Sequence, residues 1–252
     1  MAIHIKTPQE IDNMRKSGQI LAATHDIIAQ AARPGISTLE LDQLAEQTII
    51  KLGGKPGFKE VPGYKHTLCT AIDATIVHGI PRKDEILQEG DLFTADCGVI
   101  YKGMNTDAAR SIGIGTISPI KEKLIKTAKL ALAKGIAMAI PGNPVYKIGE
   151  AIEQVINQNG FKVIYDLTGH GLGKTLHEDP IIPNYKDTHY KAILKPGMTI
   201  AIEPIFSIGT HELITDTDGW TIKTKDGSCS VQEEHTILIT ETGNEILTES
   251  KP

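Results

Sequence analysis

The chain has 252 residues, 40% of them hydrophobic and 23% charged, which suits one sizeable globular domain or two intimate halves. No run approaches the ~18 apolar residues of a membrane span, and Met1-Ala2-Ile3-His4-Ile5-Lys6 lacks the basic-then-apolar pattern of a signal peptide. A net charge of −5 with interspersed signs argues against a specific nucleic-acid surface, and the scattered Cys69, Cys97 and Cys229 read as reduced thiols of a cytoplasmic protein.

Four amphipathic helices follow from the pattern. The first opens at Thr7-Pro8-Gln9-Glu10, a capping box with proline at the first helical position. Its Ile11, Met14, Gly18, Leu21, His25 and Ile28 recur at spacings of three and four. Pro34-Gly35 breaks the chain before a second capping box, Ser37-Thr38-Leu39-Glu40, whose helix ends at Gly53-Gly54. A third helix runs from Ser118-Pro119 to just before Pro141-Gly142, and a fourth from about Pro144 to Asn159-Gly160.

The second and fourth helices align without a gap at an offset of 107 residues, Pro34-Gly35 on Pro141-Gly142 and Gly53 on Gly160. The same offset places Gly90 on Gly197 and Asp96 on Glu203, so that two apolar strands each end on an acid. Chance similarity between two amphipathic helices is the competing explanation, and the coincident acids weaken it. The reading is two halves of the type helix–helix–strands, related by a pseudo-twofold.

Acids stand where strands should be apolar. Leu92 to Ile100 is followed by a Lys102-Gly103 turn and a return strand from about Asn105 to Ile114. That turn places Asp107 opposite Gly98, one diagonal step from Asp96 on the same sheet face. Glu203 ends Met198-Thr199-Ile200-Ala201-Ile202, and Glu234 leads into the apolar run Thr236-Ile237-Leu238. For any one acid a salt bridge or edge position serves equally well, and Arg110 stands near Asp107 as a local partner. For four together, strand-borne cations are too few, and a metal accounts for them.

The densest chemical stretch is Asp166 to Pro180. Glycines flank His170, an arrangement that lets backbone and metal approach closely. His177 follows seven residues later, which is neither the HExxH helix nor a phosphate loop. A lone histidine is most often structural; two beside a glycine run, in a chain with four stranded acids, point to function. Four carboxylates and one imidazole suit two divalent ions sharing bridging carboxylates.

At these residues the sequence closely resembles the type I methionine aminopeptidases, and the resemblance covers essentially the whole chain. It is carried by Val77-His78-Gly79-Ile80-Pro81, Asp96 and Asp107 eleven apart, Gly169-His170-Gly171-Leu172-Gly173 with His177, Ile202-Glu203-Pro204, and Gln232-Glu233-Glu234-His235-Thr236. The resemblance implies an α+β pita-bread fold with two pseudo-symmetric helix–helix–strand halves around a central antiparallel sheet. One catalytic domain would span 1–252, its halves about 7–115 and 116–245. It implies removal of the initiator methionine from nascent proteins whose second residue is small, by two-metal hydroxide attack on the first peptide bond. Asp96, Asp107, His170, Glu203 and Glu234 would bind the two ions, which cobalt, manganese, iron or zinc would satisfy.

His177 would stabilise the tetrahedral oxygen, His78 would hydrogen-bond the scissile amide, and Glu203 would pass protons. By motif position Tyr64, Cys69 and Trp220 resemble walls of the methionine pocket, with ordinary core packing as the competing reading. Leu176 and Leu167 stand where the family often has an aromatic. His4, His25, His66, His189, His211 and His235 read as structural. The expected partners are peptide or nascent-chain N-termini at the ribosome, with no membrane and a monomeric state. Rivals are a prolidase or aminopeptidase P relative, which usually carries an extra N-terminal domain, and a non-catalytic scaffold, which would lose metal ligands.

Overall fold

In a computed structural model of the chain, residues 3–250 are described. Helix α1 (Pro8–Ala31) is followed by α2 (Thr38–Lys51), β1 (Lys55–Pro56), a 3-10 turn at Phe58–Glu60, β2 (Leu68–Ile72), β3 (Thr75–Val77), and the long hairpin of β4 (Leu92–Tyr101) and β5 (Met104–Gly113). The second half runs α3 (Pro119–Met138), α4 (Tyr146–Gln158), β6 (Lys162–Val163), β7 (Gly169–Gly171), β8 (Glu178–Ile182), β9 (Thr199–Ile202), β10 (Ile205–Ser207), β11 (Leu213–Thr215), β12 (Ile222–Thr224), β13 (Ser230–Gln232), β14 (His235–Ile239) and β15 (Asn244–Ile246).

Both capping boxes form. Thr7 and Ser37 each accept the N3 backbone N–H, while Glu10 and Glu40 accept the N-cap N–H in return, satisfying donors that a helix start leaves orphaned. Helix α4 starts two residues later than its sequence suggests. Val145 N–H donates to Ala192 O and Pro144 bridges Ile193, so the chain at 144–145 is held by a loop contact.

The offset of 107 recurs in the hydrogen bonding. Gly35 N–H donates to Leu87 O as Gly142 N–H does to Leu194 O, and the bridge Ser37↔Ile86 reappears as Pro144↔Ile193. The β1–β4 pairs Lys55↔Ile100 and Pro56↔Val99 correspond to Lys162↔Ser207 and Val163↔Phe206 in β6–β10. The cores correspond too: Leu41, Ala45 and Ile49 of α2 and Ile148, Ile152 and Ile156 of α4 are all fully buried. Each of these leucine and isoleucine side chains contributes roughly 1.5–3 kcal/mol by leaving water.

Strand alternation decides which face each residue serves. In β4, Phe93, Ala95, Cys97 and Val99 pack against α1 and α2, so Thr94, Asp96 and Gly98 point the other way. Ile200 and Ile202 of β9 likewise pack with α3 and α4, leaving Thr199 and Ala201 on the face that continues to Glu203. The hairpin turn lies where expected, with Lys102 and Gly103 both at positive φ and Gly98 paired with Asp107. Arg110, three residues from Asp107, faces away and bonds Asp26 Oδ1 at 2.6 Å and Ser250 Oγ at 2.9 Å. It is not the partner of Asp107, because positions three apart on a strand lie on opposite faces.

The halves differ in the strands that carry the acids. β4 and β5 are continuous, whereas their counterparts are broken into β9–β10 and β14–β13. Pro204 has no N–H to give the ladder. The gap falls between the pairs Ile202↔His235 and Ile205↔Gln232, so Glu203-Pro204 lie opposite Glu233-Glu234.

Candidate metal centre

One cavity of roughly 360 Å³ lies between the halves, and all ten of the residues singled out from sequence line it: Tyr64, Cys69, His78, Asp96, Asp107, His170, His177, Glu203, Trp220 and Glu234. The first half supplies Asp96 and Asp107 from the adjacent strands β4 and β5. The second supplies His170 from β7, and Glu203 and Glu234 from the strand interruption.

The four carboxylates are buried, none more than 9% exposed. One ligand atom each of Asp107, His170 and Glu234 lies within 4.8 Å of the others, and His170 Nε2 is 3.7 Å from Glu203 Oε1. Among the described residues, Asp96 Oδ1, Asp107 Oδ1 and Glu234 Oε1 are buried with no hydrogen-bond partner. Burial first, and mutual repulsion after it, push Asp107 and Glu234 well above the usual carboxylate range; burial, with Asp96 beside it, does the same to Glu203. Burial raises Asp96 to about 7. Oxygens so buried and so unpaired fit divalent cations, whose charge compensates the carboxylates.

His170 is prepared for the same task. Its Nδ1 lies 2.9 Å from Gly171 O. A carbonyl only accepts, so Nδ1 carries the hydrogen and Nε2 keeps its lone pair toward the acids. Burial, aided by His177, lowers its pKa to about 4 and keeps the ring neutral. The glycines on either side let neighbouring backbone approach closely, as expected. A Cβ on Gly169 would overlap Ala201 O, and one on Gly171 would overlap Asp179 O. They make room for the neighbouring backbones.

The outer wall is apolar. Tyr64, Cys69 and Phe58 form one buried cluster with Val61, Ile80, Leu176 and Trp220 packed on it. Tyr64 and Trp220 meet edge to face at 5.1 Å between centroids, and the Tyr64 hydroxyl is anchored on Leu68 O at 2.7 Å. Leu167 and Leu176 both line the cavity. His78 and His177 are more exposed, and desolvation lowers both pKa values, with His177 adding to the effect at His78. His78 holds a left-handed backbone at φ 59, an unusual conformation for a residue with a Cβ. The ring of His177 stands 4.3 Å from that of His170. His25 and His235 are spent elsewhere, on Ala108 O and Thr248 Oγ1.

Sequence reasoning passed over three contributors. Gln232 Nε2 donates to Glu203 Oε2 at 3.4 Å, and Asn184 Nδ2 holds the Glu203 carbonyl at 2.9 Å. Thr236 Oγ1 accepts from Asp107 N and donates to Asp107 O, tying β14 to β5 beside the ligand. Gln232 and Thr236 belong to the Gln-x-Glu-His-Thr pattern; Asn184 carries no local signal.

Comparison with known proteins agrees with this geometry. The model of metallopeptidase family M24 matches residues 12–241. A methionine aminopeptidase of Clostridium acetobutylicum is 42% identical over 246 residues, covering 98% of each chain. That of Escherichia coli K12 is 37% identical over 252 residues, 98% of this chain and 94% of the relative. The crystal structure of a Thermotoga maritima methionine aminopeptidase superposes with a TM-score of 0.97 at 39% identity, over 99% of this chain and all of that one. A prolidase from Pyrococcus furiosus shares the fold at a TM-score of 0.81 and 25% identity, but this chain spans only 66% of its length. Matched so nearly in full by aminopeptidases and only in part by the longer prolidase, the chain belongs to metallopeptidase family M24, among its methionine aminopeptidases.

Proposed function

We propose that Asp96, Asp107, His170, Glu203 and Glu234 hold two divalent ions on the floor of the cavity, where the chain removes the first methionine from peptides whose second residue is small. The observation that supports this best is the set of three buried carboxylate oxygens without partners, aimed into one cavity. Divalent ions, when bound, supply Lewis acidity, which acidifies water and polarises a carbonyl.

The protein's own residues do the rest. Tyr64, Cys69 and Trp220, with Phe58 and Leu176, enclose an unbranched thioether in an apolar and polarisable wall. Glu203, steadied by Gln232 and Asn184, takes a proton from water and delivers it to the leaving amine. His177 donates to the carbonyl oxygen as it becomes tetrahedral, and His78 bonds the scissile amide. Desolvation lowers the pKa of both imidazoles and so favours their neutral forms.

The hard ligand set accepts cobalt, manganese, iron or zinc, and cellular supply chooses among them. The chain acts as one catalytic unit over 1–252, its halves meeting near residue 115; residues 1–2 and 251–252 lie outside those described. We place it in the cytoplasm as a monomer, working on nascent N-termini at the ribosome. No helix among the described residues is long and apolar enough to cross a membrane. Hydrolysis of Met-Ala-Ser in the presence of a divalent metal tests the reading. Absent release of methionine beside good cleavage of Xaa-Pro peptides would sink it.

A further inference from the structure

The loop from Gly173 to His177 carries Leu176 and His177 into the cavity wall, and it forms no helix or strand before Glu178 opens β8. A segment remote in sequence holds it. Lys6, in the stretch before α1, has a side chain only 2% exposed and sets Nζ 2.8 Å from Glu178 Oε2. Its backbone N–H donates to Gly197 O, fixing the stretch to the turn before β9. The other Glu178 oxygen accepts the Thr175 N–H at 3.1 Å, and the Thr175 hydroxyl donates to His177 O at 3.0 Å. Gly173 O accepts from both the backbone and the side chain of Asn105. A Cβ on Gly173 would overlap Lys6 Cε, so the loop rests directly on the lysine stem. The companion pair of Lys174 with Glu10 at 3.2 Å is solvated on the lysine side and holds the loop more weakly. A buried ion pair is a poor source of stability, because desolvating both charges offsets their attraction. Its consequence here is conformational, since one end of a Lys6–Glu178–Thr175 chain terminates on the backbone of His177.

We propose that Lys6 is a positioning residue for His177, fixing through Glu178 and Thr175 the loop that presents the imidazole to the substrate carbonyl. The inference rests on the role given to His177 above. Lys6→Met keeps the stem and removes the charge. In the metal-loaded enzyme it lowers kcat/KM on Met-Ala-Ser about tenfold, mostly through kcat, with metal content unchanged. In a His177→Ala background the same substitution changes kcat/KM less than about twofold, because the group it positions is gone. Equal losses in the two backgrounds would overturn the inference, as would full activity of Lys6→Met alone. Full activity of His177→Ala would instead overturn the role of His177, and this inference with it. Should Lys6→Met fail to fold, the pair Lys6→Met/Glu178→Gln leaves no lone buried charge and enters the same cycle with the same readings.

Discussion

Glu203 lies opposite Glu234 where two ladders break together, between the pairs Ile202↔His235 and Ile205↔Gln232. The equivalent strands of the first half run on unbroken, with Asp96 paired to Ala109 and Asp107 to Gly98. Four carboxylates thus reach one cavity from two related hairpins, two from continuous strands and two from an interruption that Pro204 enforces.

Removing either of the acids related by the 107-residue offset should therefore disable the centre. Asp96→Ala or Glu203→Ala is expected to lower kcat/KM on Met-Ala-Ser by about 10³-fold or more and to reduce bound metal below two ions per chain. Steady-state kinetics with elemental analysis of the same samples checks this. Full activity in either variant contradicts the assignment.

Metal and protons compete for the same oxygens. In metal-free protein the folded pKa values of Asp107, Glu203 and Glu234 stand above their unfolded values, so the folded state binds more protons and stability falls as pH rises through the window above the unfolded carboxylate range. Metal requires the deprotonated ligands, and its stabilisation grows in that same direction. The gap in thermal midpoint between manganese-loaded and metal-free protein should widen from about pH 5 to about pH 8. Asp96, raised to about 7, places part of the change inside that range. A gap independent of pH contradicts the account.

Thr236→Val removes both bonds to the Asp107 backbone while keeping side-chain volume. The expected cost is about 1–3 kcal/mol of stability, with Asp107 N–H left buried and unpaired, and metal affinity weaker by about 10–100-fold. Urea titration and metal titration read the two effects separately. No change in affinity means the bond does not orient the ligand.

Trp220→Ala opens the apolar wall that Tyr64 shares. Loss of about 1–3 kcal/mol in transition-state binding corresponds to a fall of about 10–200-fold in kcat/KM for a methionyl peptide. Peptides beginning with leucine should lose less, so the ratio between the two substrates narrows. Parallel losses for both contradict a wall that selects methionine.

Signals confined to a few neighbouring residues were legible in the sequence. The capping boxes at Thr7/Glu10 and Ser37/Glu40, the Lys102-Gly103 turn and the pairing of Gly98 with Asp107 are all satisfied within one helix start or one hairpin. The 107-residue offset was visible because Gly35, Gly53 and Gly90 share positive φ with Gly142, Gly160 and Gly197, a conformation that keeps glycine in place. Contacts between distant segments left no such trace. Arg110 answers to Asp26 and Ser250, and Asn184 to Glu203 O. The late start of α4 has the same origin, since Ala192 and Ile193 hold residues 144–145.

Anomalous diffraction from manganese-loaded crystals shows whether five residues hold two ions in one cavity. Two anomalous peaks are expected roughly 3.5–4 Å apart, both within bonding distance of atoms from Asp96, Asp107, His170, Glu203 and Glu234. Peaks absent from the cavity, or surrounded by other side chains, would contradict this arrangement.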